Sequence, residues 1–182
     1  WYAQPGNPLP RVFRAVREEA IVNRMGFNNK GAQKLAEVLS HCKEKGRWPS
    51  HPVGINLGKS KKMPLAEAPQ DYASSFRELK ELADFFVVNV SSPNTPNLRK
   101  LQDKEALRAI FSQLQEHNRK GQEAPKPILL KVAPELTSEA LEDIVELIPR
   151  LEIAGIVATN TTIARPKSDH PKVKKVYAQT GG

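Results

Sequence analysis

The sequence predicts an α/β protein of alternating strands and helices that closes as a (β/α)8 TIM barrel, of which this chain would supply about five βα strands. Three observations lead there. Short apolar runs alternate with longer stretches of helical periodicity. The runs are apolar on both faces, as are strands of a parallel sheet covered by helices. Each also carries an amide or a lysine at or near its end: Ile21-Val22-Asn23, Gly54-Ile55-Asn56, Val87-Val88-Asn89, Leu129-Leu130-Lys131 and Ala158-Thr159-Asn160. In a βα repeat the carboxyl ends of parallel strands converge on one face, so these side chains would share a pocket. An amide offers two donors and an acceptor, and a ring of amides suits a flat ligand with ring N–H and C=O groups. For any one asparagine, the alternative is a strand end that tolerates a turn.

The elements follow in order. Residues 1–19 read as an extended lead-in, because Pro5, Pro8 and Pro10 interrupt regular structure. Residues 20–27 read as a short strand, and Asn28-Asn29-Lys30-Gly31 turns into a helix with the stripe Leu35, Val38, Leu39 and Cys42, closed near Gly46. A strand at 52–58 precedes a helix that Asp71 can cap, with Tyr72, Phe76, Leu79 and Leu82 at helical spacing. The aromatic and β-branched run at 85–90 is a strong strand. Asp103 caps a helix burying Leu107, Ile110, Phe111 and Leu114, and a strand follows at 127–132. Thr137 starts a helix with Leu141, Ile144, Val145 and Ile148 inward, before a strand at 155–158. No Gly-x-Gly-x-x-Gly follows any strand, and Gly58-Lys59-Ser60 is no phosphate loop because position 53 is valine. Chemistry at every strand end, rather than at one switch point, favours the closed barrel over an open sheet.

Composition narrows the function classes. With 39% hydrophobic and 26% charged residues the chain has the make-up of a globular domain, and no apolar stretch approaches the roughly 20 residues that span a bilayer. The visible segment therefore reads as soluble, without a secretory signal at its start. Cys42 has no second cysteine to bridge and no metal-ligand spacing around it, which gives it a core role and predicts no metal site. The net charge of +8 is spread over helix faces and loops without interleaved aromatics, which argues against nucleic acid and leaves an anionic substrate open.

The densest motif is Asn89-Val90-Ser91-Ser92-Pro93-Asn94-Thr95-Pro96-Asn97-Leu98-Arg99, where two prolines would stiffen a polar loop after a buried strand. With Asn23-Arg24-Met25-Gly26-Phe27-Asn28-Asn29, Lys131-Val132-Ala133-Pro134 and Ala158-Thr159-Asn160-Thr161-Thr162, it resembles the quinone-dependent (class 2) dihydroorotate dehydrogenases. The similarity runs from Pro8-x-Pro10-Arg11-x-Phe13-Arg14 to Gln179-Thr180-Gly181-Gly182.

The resemblance implies that residues 1–182 are a partial FMN-binding barrel domain from an enzyme that oxidises dihydroorotate to orotate in pyrimidine synthesis and passes electrons to a quinone. It implies Ser92 as the catalytic base, where class 1 enzymes carry cysteine. Asn23, Arg24, Met25, Gly26, Phe27, Asn89, Asn94, Asn160 and Thr161 would hold the substrate. Asn56, Asn89, Lys131 and Thr159 would contact FMN. It further implies peripheral association with a bacterial cytoplasmic or mitochondrial inner membrane, through an amino-terminal region expected before Trp1 along with the first barrel strand. The last barrel strands and their phosphate-gripping loops would follow Gly182. The chain is then expected to be a fragment, since a complete barrel takes about 250 residues. Alone it should be poorly stable and hold FMN weakly or not at all.

The residue chemistry agrees with that assignment. Backbone N–H groups around Met25-Gly26-Phe27 suit a carboxylate, and a lysine at a strand end would be a buried cation unless it met an electron-rich ligand or an internal carboxylate. A hydroxyl is a weak base, so Ser92 would need a dry site and a relay through a neighbouring hydroxyl or a water. Two other readings stay open. One is a related FMN barrel acting on another reduced pyrimidine, which would be expected to carry cysteine at the Ser92 position; the other is a non-catalytic domain whose amides satisfy one another.

Overall fold

Four parallel strands carry the architecture: β3 (Gly54–Gly58), β4 (Phe85–Asn89), β5 (Ile128–Val132) and β6 (Gly155–Ala158), hydrogen-bonded in that order. They are preceded by β1 (Val12–Ala15) and β2 (Ala20–Asn23) and interleaved with α1 (Ala32–Glu44), α2 (Ala68–Leu79), α3 (Lys104–Asn118) and α4 (Ser138–Arg150), with α5 (Pro171–Tyr177) last. The computed structural model describes residues 1–95, 97–121 and 124–182; Pro96, one of the two prolines expected to stiffen the loop after Asn89, lies outside them.

The sheet is two-faced because strand side chains alternate. Ile55 and Leu57, Phe86 and Val88, and Ile128, Leu130 and Val132 are buried in one cluster with Tyr72, Phe76 and Leu79 of α2 and with Leu107, Ile110, Phe111 and Leu114 of α3. These helix residues recur every three or four positions, so each helix buries one stripe. Asn56, Val87, Leu129 and Gly155 share a row on the opposite face. A parallel arc with helices on its outer face and polar groups on its inner face is a partial (β/α)8 barrel.

Asp103 and Thr137 cap their helices as expected: Asp103 accepts from the N–H groups of Glu105 and Ala106, and Thr137 accepts from Ala140 N–H. Asp71 is not a cap. Its helix begins at Ala68 with Pro69 in the first turn, and the Asp71 carboxylate instead accepts from the backbone N–H and hydroxyl of Ser60, tying α2 to the loop after β3.

The amino-terminal region departs from the expectation. Residues 20–27 do not join the parallel sheet. β2 ends at Asn23 and pairs antiparallel with β1, so the lead-in of residues 1–19 contains a strand once the prolines are passed. Ile21 is 58% exposed, and all four residues of β2 are paired with Val12–Ala15, which leaves the strand in a two-stranded ribbon. Cys42 is half-buried rather than core, and Leu35 and Val38 remain exposed, because α1 buries its small residues Ala32 and Ala36 instead. On α4, Ile144 and Leu147 are buried while Leu141 and Val145 are exposed. Periodicity found both helices but missed which flank is covered.

Candidate active site

At the carboxyl end of the sheet, register sets Gly58 beside Asn89, Asn89 beside Lys131 and Lys131 beside Val157. This row faces away from the helix-covered layer, so each residue in it can meet a ligand.

Asn89 is almost fully buried and held from two sides. Its carbonyl accepts from the Tyr72 hydroxyl at 2.9 Å. Its Oδ1 accepts from Ser91 N–H at 3.2 Å, Ser91 Oγ at 2.9 Å and Asn160 Nδ2 at 3.5 Å. With the amide oxygen fixed in this way, Nδ2 has no partner among the described residues and is available to a ligand. Asn160 Nδ2 also donates to Ser91 Oγ at 3.1 Å, and Asn160 Oδ1 accepts from Thr161 N–H at 2.7 Å. Burial pushes the Tyr72 hydroxyl far above its usual pKa, so it remains a neutral donor at any working pH.

Ser92 is buried in the loop after β4. Its Oγ accepts the Asn94 N–H at 3.2 Å, and the Asn94 side chain donates to Asn23 Oδ1 at 3.3 Å. The Ser92 O–H proton has no acceptor among the described residues. Lys131 is half-buried rather than buried, and no carboxylate lies within ion-pairing distance of it among the described residues. The alternative of an internal ion pair therefore has no partner among the described residues.

The segment after β2 supplies the opposite wall. Gly26 and Phe27 both have positive φ, 74° and 54°, and a side chain at Gly26 would meet Asn7 at 2.8 Å. Only glycine fits at 26. The N–H groups of Gly26 and Phe27 have no partner among the described residues, and successive free amides in such a turn form a concavity suited to an anion.

These walls enclose a cavity of about 190 Å³. Asn23, Met25, Gly26 and Phe27 line one side, Asn89, Ser92, Asn94 and Lys131 another, and Asn160 and Thr161 the third. Three expected residues stay outside. The Arg24 guanidinium holds the Pro10 carbonyl at 3.0 and 3.2 Å and lies over the Phe13 ring. The Thr159 hydroxyl donates to the Asn160 carbonyl. Asn56 shares the inner face but lines a separate groove of about 470 Å³ beside α1, along with Leu35 and Val38. Sequence reasoning missed Tyr72 and Ser91. The tyrosine carried only a core signal, and the serine was visible only as the neighbour of Ser92.

A family model described as dihydroorotate dehydrogenase matches residues 1–182. The chain belongs to the dihydroorotate dehydrogenase family. Similar proteins named dihydroorotate dehydrogenase (quinone) come from Thermosynechococcus vestitus, 54% identical over 91% of this chain and 43% of that protein, and from Trichormus variabilis, 56% identical over 90% and 42%. A third, from Cyanothece sp., is 49% identical over 100% of this chain and 46% of its own length. The chain thus spans less than half of these relatives. Among solved structures, ligand-free DHODH from Eimeria tenella superposes with a TM-score of 0.88 at 34% identity, covering 100% of this chain and 54% of that one. The same enzyme with ferulenol gives a TM-score of 0.85 at 32% identity, over 99% and 52%. The family match therefore runs over the partial barrel and the segments that line the cavity.

Proposed function

We propose that the protein containing this chain oxidises dihydroorotate to orotate with FMN and a quinone, and that the cavity between Asn89, Ser92 and Asn160 holds the pyrimidine. One observation carries the reading: residues from the β2 end and from the loops and ends of β4, β5 and β6 meet in a single space of about 190 Å³. That suits one small ring, below the roughly 300 to 1,000 Å³ of drug-sized pockets. The quinone comes from the relatives' names and would be met at a membrane; among the described residues no helix is long and apolar enough to cross one.

The residues divide the work. Free N–H groups at Gly26 and Phe27 would receive the substrate carboxylate. Asn94 is tied to Asn23, Asn160 is held against Asn89 and Ser91, and Asn89 presents Nδ2, so the ring meets donors already oriented. Ser92 takes the proton from the reacting carbon at Oγ while its own hydroxyl proton passes to a water or a neighbouring hydroxyl, the relay that so weak a base requires. The Asn94 N–H, aimed at that oxygen, favours negative charge on it, and the buried setting excludes competing water.

The chain's own residues fit a flavin in part. Asn89 and Lys131 are register neighbours with unspent donors, and Gly58 adds no side chain beside Asn89. Asn56, on the same face, and Thr159, by its backbone, would complete the contact. When bound, FMN supplies the hydride acceptor. Lys131, a cation without a carboxylate partner among the described residues, favours charge gained there.

The test is anaerobic addition of dihydroorotate to the full-length protein reconstituted with FMN, following visible absorbance. Bleaching that slows about 10² to 10⁴-fold in Ser92→Ala supports both substrate and base. No bleaching with FMN bound removes the substrate assignment, and bleaching at parent rate in Ser92→Ala removes the base.

A further inference from the structure

We propose that Arg99 and Glu135, neither of which lines the cavity, form a clamp that holds the three loops after β4, β5 and β6 in one arrangement and so positions Ser92, Asn94, Asn160 and Thr161; the catalytic part of this rests on the dehydrogenase reading. Arg99 sits in the short 3-10 segment Leu98–Gln102 and uses all three nitrogens of its fork. Nε donates to the Ser91 carbonyl at 3.2 Å, one bond from Ser92 in the β4 loop. Nη2 donates to the Thr161 carbonyl at 3.3 Å in the β6 loop. Nη1 pairs with Glu135 Oε2 at 2.8 Å in the β5 loop. The other Glu135 oxygen crosses back to the β6 loop, accepting from Thr162 Oγ1 at 2.6 Å and Ile163 N–H at 2.7 Å.

The same segment adds a second fastening. Gln102 Oε1 accepts from Ala133 N–H at 2.8 Å, and Gln102 Nε2 donates to the Arg99 carbonyl at 3.3 Å, fixing the helical turn that aims the guanidinium. Side-chain exposures of 24% for Arg99 and 29% for Glu135 leave the pair partly open to water, with Glu135 an exposed residue. A surface ion pair would contribute little. Here the geometry matters more than the charge. A planar guanidinium reaches two carbonyls and a carboxylate together, whereas a lysine ammonium in its place reaches the carboxylate only by giving up the carbonyls. Arg99 and Glu135 are thus positioning residues, acting through the backbone on either side of the candidate base and amides.

The test is Arg99→Lys in the full-length protein, read by amide hydrogen exchange without any ligand and by the rate of flavin reduction at saturating dihydroorotate. Exchange should quicken together at Asn94, Thr161 and Ile163, and the rate should fall about 10²-fold, the scale of a misplacement near 1 Å. The thermal midpoint should stay near the parent's. Parent-like exchange and rate overturn the clamp, because charge alone would then suffice. Either change without the other overturns the link between loop order and chemistry. Should Arg99→Lys fail to fold, Glu135→Gln decides the matter: faster exchange centred on Ile163 supports the clamp, and an unchanged or uniformly raised pattern refutes it. If the parent oxidises no dihydroorotate, the exchange pattern still judges the clamp and only the enzymatic reading fails.

Discussion

Replacing Tyr72 by phenylalanine removes one oxygen and leaves the packing of the ring, which is 0% exposed in the α2 core, as it is. What is lost is the donor at 2.9 Å from the Asn89 carbonyl. A neutral buried hydrogen bond is worth about 0.5 to 1.5 kcal/mol net, and a buried acceptor left unpaired costs about 1 to 3. The carbonyl sits at the end of a strand and has two lone pairs, so the lower range applies, about 1 to 2 kcal/mol. For a domain of 150 to 250 residues that is a fall of roughly 2 to 8 °C in thermal midpoint. The same loss frees the main chain that carries the Asn89 amide, so orotate affinity should weaken by up to about tenfold, equivalent to about 1.4 kcal/mol. Circular dichroism melting and orotate titration of full-length Tyr72→Phe measure both. Because the hydroxyl's pKa is raised, the difference between parent and variant should be flat from pH 5 to about pH 9. A midpoint within 1 °C of the parent and unchanged orotate binding would refute the view that α2 anchors the site through this bond.

Gly26→Ala should cost about 1 to 2 kcal/mol for the positive φ alone, and the new methyl, 2.8 Å from Asn7, would turn the free N–H groups away; calorimetry should show orotate binding weakened at least about tenfold. Glu135 is exposed, and although burial alone would raise its pKa, hydrogen bonds from Thr162 and Ile163 and the charge of Arg99 hold it below the ordinary carboxylate range. Its contribution to stability is therefore fully present above the unfolded value of about 4.3 and lost as pH falls through the lower folded value. The difference in melting between parent and Glu135→Gln should be constant near neutrality and vanish in acid. The 182-residue chain expressed alone should aggregate and purify colourless, because β3 and β6 each have one strand partner among the described residues; a yellow, monomeric preparation would contradict this.

The parallel strands and their helices were legible in the sequence because short apolar runs and the helical stripes are local signals. Asp103 and Thr137 announced their helices through cap chemistry, but Asp71 offered the same signal and serves Ser60 instead, a contact between residues 11 apart in sequence that no pattern encodes. The ribbon of β1 and β2 was misread because Ile21-Val22-Asn23 looks like any apolar run, and only pairing with Val12–Ala15 distinguishes it. The cavity residues were found from strand ends and motif resemblance. Arg24, Thr159 and Asn56 share that signal, yet their side chains turn to the backbone or to another groove. Arg99 and Glu135 remained hidden because their work is done on carbonyls and amides of other loops.

The register of the sheet has one more consequence. Lys131 sits one residue from Leu130, which is fully buried, so sliding β5 by a single position would exchange them and drive an ammonium into the apolar layer. Asn89 beside Val88 enforces the same rule on β4. The polar side chains that would meet substrate and flavin thus act earlier, during folding, as proofreaders that penalise a one-residue slip of β4 or β5.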